Sequence, residues 1–171
     1  MDNQAPVPGK FAMNYGIILG LIMIVISVLM YVTGLALEGE QWPQFLYYII
    51  FPIVIIYAIN QFKKKNANIL SLGQAIKVGL AIAVVSALVY AVYGLIFNYI
   101  IDPDFMGQMM DVTRDKMLET PDMTEELVDQ QMEFIKIFFN PVLGTAMWVA
   151  MSALFGLIYS VIGGLIMRKE A

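Results

Sequence analysis

The stretch FAMNYGIILGLIMIVISVLMYVTGLAL, Phe11–Leu37, decides the fold class. It runs for 27 residues without an Asp, Glu, Lys or Arg. About 20 predominantly apolar residues carry a helix across a bilayer. Lipid offers the backbone no hydrogen-bond partners, and a helix satisfies its own within one segment. Three further stretches avoid charge in the same way: Gln41–Phe62 (22 residues), Val78–Ile101 (24) and Ile137–Met167 (31). Together the four occupy 104 of the 171 residues. Only 14% of the chain is charged, against about 25% in an ordinary soluble domain. These features predict an all-α polytopic membrane protein with four transmembrane helices, over about 13–35, 42–62, 75–101 and 141–167, in a single membrane domain 1–171. A soluble globular enzyme, a disordered tail and a nucleic-acid binder are excluded, and the lipid bilayer is the first partner implied.

The chain flanking these stretches carries the charge, and it is sorted by side. Lys10, Lys63, Lys64, Lys65, Lys77, Arg168 and Lys169 fall at one set of span ends. The other set has Arg114, Lys116 and Lys136, with twelve acids, ten of them within Asp102–Lys136. The positive-inside rule counts Lys and Arg. Seven against three predicts cytoplasmic termini, a cytoplasmic Lys63–Lys65 loop and an acidic loop facing outward. The first stretch exceeds the 7–15 residues of a signal-peptide core and lacks a basic leader. It reads as an uncleaved span.

Two residue types are missing altogether. With no Cys there is no disulfide, thiolate metal site or Cys nucleophile. With no His the usual general base and the partner of a serine nucleophile are absent. No charge lies in mid-span, where pumps and membrane proteases usually keep one despite its cost of about 2.5–3.5 kcal/mol. The chain therefore reads as a non-enzyme with no catalytic, cofactor-binding or metal-binding residues.

Small residues recur inside the spans. The third has Ala75, Gly79, Ala83, Ala87 and Ala91 at steps of four, the fourth has Ser152, Gly156, Ser160 and Gly164, and the first has Gly16 and Gly20. Such stripes let helix backbones approach closely where hydrophobic burial supplies no drive. Gly16, Gly20, Gly79, Ala83, Ala87, Ser152, Gly156, Ser160 and Gly164 are the predicted helix-packing residues. Packing within one chain is the plainer reading and a homodimer the sharper one. Pro52 removes a backbone donor inside the second span and predicts a kink. Asn14, Asn60, Asn98, Ser27, Ser86 and the tyrosines could line a solute path, although isolated polar residues usually serve helix packing.

The segment 102–140 is the one sizeable extramembrane stretch. It reads as an amphipathic pair of helices. The first is expected to open on Asp102 as N-cap with Pro103 at the first helical position. Its apolar residues Phe105, Met106, Met109, Met110 and Met117 follow helical spacing and form the candidate interaction surface. Thr120-Pro121-Asp122 breaks it. A second helix begins near Asp122 or Thr124, with Leu127, Val128, Met132, Ile135 and Phe138 on one face, and Asn140-Pro141 separates it from the last span. Thirty-nine residues are too few for a core of their own. The apolar faces must rest on the membrane surface, on the span ends or on a partner. Six methionines here suggest a soft Cu(I) site. With no His, no Cys and no repeated Met motif beside them, an adaptable apolar filler is the better account.

Three short motifs carry a resemblance: Gln74-Ala-Ile-Lys-Val-Gly-Leu80, Ile101-Asp-Pro-Asp-Phe105 and Gly163-Gly-Leu-Ile-Met-Arg-Lys169. With them and its span order, the chain resembles the bacterial membrane family called domain of unknown function 4199, of the Bacteroidetes lineage. The resemblance covers essentially the whole chain. It implies a multipass inner-membrane protein and supplies no activity, cofactor or catalytic residue. The expected function is a non-enzymatic one, in which the acidic outer loop meets a membrane or envelope protein partner or the membrane surface. Transport of a small solute through the bundle or its dimer is the alternative.

Overall fold

The computed structural model describes residues 6–38 and 42–169, all helix and connecting turns without a strand among them. Glu40, one of the twelve acids counted above, lies outside these residues. The helices are α1 (Pro8–Val32), α2 (Trp42–Lys65), α3 (Leu72–Ile96), α4 (Phe105–Leu118), α5 (Glu125–Phe139) and α6 (Pro141–Met167). Four of them, α1, α2, α3 and α6, are long and apolar enough to cross a membrane.

Local chemistry sets the ends of these helices, and it moves the predicted boundaries. Pro8 opens α1 from the first-turn position where its missing N–H costs nothing. The helix ends at Val32 because Gly34 follows in the left-handed conformation, φ +78°. The first span thus lies nearer the N-terminus than 13–35. α2 runs on to Lys65, and its three terminal lysines complement the negative end of the helix dipole. It also continues through Pro52. α3 starts at Leu72, before Ala75, because Ser71 and Gln74 form a capping box: the Ser71 hydroxyl accepts from Gln74 N–H, and the Gln74 side chain accepts from Ser71 N–H.

α3 does not simply stop. Phe97–Ile101 form a π-helical turn, closed by Asp102 N–H on the Phe97 carbonyl at 2.9 Å. Such turns are uncommon and often lie at functional sites. α4 then begins at Phe105, with no side-chain cap. This corrects the expectation that Asp102 would cap it: the Asp102 carboxylate accepts instead from the Tyr31 hydroxyl at 2.9 Å. α5 opens as expected, on Thr124, whose hydroxyl accepts from Leu127 N–H. Asn140 breaks the chain and caps α6 by accepting from Val142 and Leu143 N–H.

α3 lies between α1 and α6 and packs along both, while α2 leans across all three. The α1 side is built on two glycines. A Cβ on Gly16 would stand 2.7 Å from that of Val85, and one on Gly20 2.7 Å from that of Val89. On the α6 side Gly164 meets Ala75, Gly79 meets Ser160, and Gly156 meets Ala83. The hydroxyls on these faces are spent locally, Ser86 on the Ala83 carbonyl and Ser160 on that of Gly156. α2 contributes bulk instead: Phe51, Ile55, Ile59 and Phe62 are fully buried against Leu19, Val78 and Ile82. At the same end as the α2 lysines, Leu70 and Lys169 exchange backbone hydrogen bonds of 2.9 and 3.0 Å, and Lys63 Nζ donates to the Met167 carbonyl at 2.8 Å. The outward surfaces of the four long helices are apolar, among them Ile18, Val25, Ile53, Val92 and Leu154. A contiguous apolar exterior is what a lipid-facing surface requires.

Candidate functional site

The tight packing ends where the small residues end. On α6 the stripe Gly164, Ser160, Gly156, Ser152 reaches Trp148 at the next step of four. At that level bulky rings take the place of the small residues. A cavity of about 820 Å³ lies there. That is within the roughly 300–1,000 Å³ range of small-molecule sites. Met23, Ile26, Ser27, Met30 and Tyr31 of α1 line one side, and Tyr90, Tyr93, Gly94, Phe97 and Asn98 of α3 and its π-turn another. Tyr47 and Tyr48 of α2 and Trp148 of α6 complete the wall.

The wall is a run of touching rings. Tyr47 lies 5.0 Å from Trp148, Trp148 5.6 Å from Tyr90, Tyr90 5.9 Å from Tyr93 and Tyr93 5.8 Å from Phe97, centroid to centroid. All are tilted pairs in the range where ring quadrupoles attract. Phe97 continues edge-on to Tyr31 at 4.9 Å and to Phe105 at 5.2 Å, so the run reaches the start of α4.

α4 lies over one side of the cavity, which is open on another. Phe105, Met106, Met109, Val112, Thr113, Lys116 and Met117 all line it. The helix is held at its start by the Tyr31–Phe97–Phe105 cluster and the Tyr31–Asp102 hydrogen bond. Along its length it packs on α5, where Arg114 pairs with Asp129 at 3.0 Å.

Several polar atoms sit in this apolar setting. The Tyr47 hydroxyl is 3.4 Å from Ser152 Oγ, and that of Tyr90 faces Ser27. Asn98 Nδ2 donates to the Gly94 carbonyl at 2.7 Å. Two atoms lack partners: Asn98 Oδ1 and Trp148 Nε1 are the buried side-chain polar atoms, among the described residues, with no hydrogen bond. Leaving such an atom unpaired costs about 1–3 kcal/mol. Both belong to residues on the cavity wall. No cluster of three acidic, His or Cys ligands for a metal ion occurs among the described residues.

A family model described as a protein of unknown function, DUF4199, matches residues 14–169. The chain belongs to the DUF4199 family. The match spans every residue that lines the cavity. Neither a curated protein nor a solved structure matches the chain.

In this DUF4199 chain the two sets of predicted residues have separate fates. Gly16 and Gly20 face α3, and Gly79, Ala83, Gly156, Ser160 and Gly164 form the α3–α6 contact. Ala87 and Ser152 are buried. These faces are occupied within the chain. Of the candidate interaction surface, Phe105, Met106, Met109 and Met117 look into the cavity, while Met110 is half-buried outside its lining. Of the polar residues weighed for a solute path, Ser27 and Asn98 are on the wall, whereas Asn14, Asn60 and Ser86 are not. Sequence reasoning misses Trp148. Its signal is present all the same, as the bulky residue that interrupts a stripe of small ones.

Proposed function

We propose that the chain is a non-enzymatic multipass protein of the bacterial inner membrane, with both termini cytoplasmic, that holds a small molecule in the cavity under α4. The single observation that carries this reading is the 820 Å³ space itself, walled by aromatic rings and roofed by a methionine-rich helix. Seven Lys and Arg at one set of span ends against three at the other support the orientation, which puts the cavity in the outer half of the membrane. The wall offers hydroxyls, an amide and an indole but no activated nucleophile beside a base, which favours binding or passage over catalysis. Native mass spectrometry of protein extracted from its own membranes tests the reading. A small molecule retained by the wild type should be lost from Gly94→Phe, which places a ring in the cavity at a position where a Cβ meets nothing within 4 Å. Identical spectra for the two would overturn it.

A second reading rests on α5. Its buried residues Val128 and Met132 face inward, yet Leu127, Phe134, Ile137 and Phe138 remain exposed, Phe134 by 66%. One residue, Asn140, separates α5 from α6, whose Val142 and Leu143 near its start are also exposed. Such a helix suits contact of the acidic outer segment with the membrane surface or with an envelope partner. Phe134→Trp, as sole tryptophan in vesicles of brominated lipid, should be quenched. A fluorescence equal to that in unbrominated lipid would refute surface contact.

A further inference from the structure

We infer that the occupant of the cavity is a neutral, flat, ring-bearing amphiphile with at least one hydrogen-bond-accepting oxygen. The inference rests on the cavity reading above and names its ligand class.

Flatness follows from the wall. From Tyr47 through Trp148, Tyr90 and Tyr93 to Phe97, successive ring centroids are 5.0–5.9 Å apart. A planar unsaturated body inserted beside them gains offset or edge-on ring contacts that an alkyl chain does not. The facing surface is soft. Met23 and Met30 of α1 and Met106, Met109 and Met117 of α4 bring five thioethers to the lining. Methionine moulds to irregular shapes, and its sulfur packs favourably against rings.

Neutrality follows from the charges. Apart from tyrosines, Lys116 is the ionisable side chain of the lining; it lies on exposed α4 and already has a partner within the chain. The Asp102 carboxylate is engaged by Tyr31 and is not part of the lining. A charged ligand would lose hydration to a lining that offers no carboxylate and, for an anion, one lysine already engaged within the chain.

The polar requirement comes from one of the two orphan atoms. Trp148 Nε1 is a donor and Asn98 Oδ1 an acceptor. The Asn98 amide cannot be flipped without setting its oxygen against the Gly94 carbonyl, because Nδ2 now donates there. Both atoms are closed to water. Neither atom is exposed to the cavity as the side chains stand; on binding, the Trp148 indole turns to bring Nε1 to the ligand, while Asn98 stays held by the Gly94 carbonyl. A ring oxygen of the ligand then accepts from Trp148 Nε1.

The chain has two tryptophans, Trp42 and Trp148, so Trp42→Phe leaves the cavity residue as sole reporter. This protein, in lipid nanodiscs, is titrated with menadione, a neutral bicyclic quinone. Trp148 emission should be quenched saturably, and the midpoint should rise at least tenfold when Gly94→Phe is added. Gly94→Ala, which leaves the space open, serves as the folded control and should keep the midpoint. In Trp148→Phe, the emission of Trp42 should fall only linearly, as membrane partitioning alone dictates. Tighter quenching by anthraquinone-2-sulfonate, or displacement of menadione by 1-decanol, would overturn the ligand class while leaving small-molecule binding intact. If no probe saturates and the native mass spectra of wild type and Gly94→Phe agree, the cavity reading falls with it.

Discussion

The Tyr31 hydroxyl donates to the Asp102 carboxylate at 2.9 Å, linking the end of α1 to the residue that follows the π-turn of α3, 71 positions away. The same ring packs edge-on against Phe97 and Phe105, so one side chain joins α1, the π-turn and the start of α4. α4 depends on this anchor because it has no side-chain N-cap. Tyr31→Phe keeps the ring and removes the bond. Amide exchange across Phe105–Leu118 should quicken while that of α3 is unchanged. Asp102→Asn, which retains an acceptor, should have the smaller effect. Equal exchange in Tyr31→Phe and wild type would show that the bond does not position α4.

The α3–α6 contact predicts an ordered set of glycine substitutions. In Gly79→Ala the new methyl collides with Ser160, and in Gly156→Ala with Ala83. Overpacking of this kind costs about 1–3 kcal/mol. Gly73 lies in α3, and a methyl added there meets nothing within 4 Å. Gly73→Ala, in the first turn of α3, should instead leave stability unchanged or raise it slightly. Unfolding in mild detergent with added denaturant would rank the three. Any order that puts Gly73→Ala below Gly79→Ala contradicts the contact.

Ser71 and Gln74 satisfy each other's backbone donors at the start of α3. Ser71→Ala should destabilise by about 1 kcal/mol. Ser71→Asp, a good N-cap, should restore most of that. Failure of the aspartate to rescue would mean that Ser71 matters for something other than the cap.

The orientation is open to a direct measurement because the chain has no native cysteine. With a cysteine at position 111 an impermeant maleimide should label intact cells. With one at position 64 it should label only after the membrane is opened. The reverse pattern would invert the assignment and move the cavity to the cytoplasmic half.

How far the sequence reaches differs element by element. Thr124 and Asn140 are legible as helix boundaries because caps act over two or three residues, and the structure has both at the expected places. Asp102 misleads for a related reason. Asp-Pro-Asp is a good local N-cap pattern, but a tyrosine from α1 competes for the same carboxylate, and no local pattern registers a residue 71 positions away. Periodicity puts Met106, Met109 and Met110 on one helical face; in the structure Met106 and Met109 line the cavity and Met110 lies outside its lining. Which way that face turns depends on what lies beneath it, and beneath it is a space that only packing creates.

By itself, then, the sequence determined that there are four long apolar helices, where the charged connections fall, and that neither His nor Cys is available for chemistry. These follow from composition and periodicity, which act residue by residue along the chain. The tertiary structure decided which small residue meets which. Gly79 lies against Ser160, and Trp148, three steps of four along the same α6 stripe, lies on the cavity wall. Backbone separation is set jointly by the side chains of two helices that are distant in sequence. The cavity, the ring-lined wall and the roof under α4 emerge from that joint constraint, and no single segment contains it.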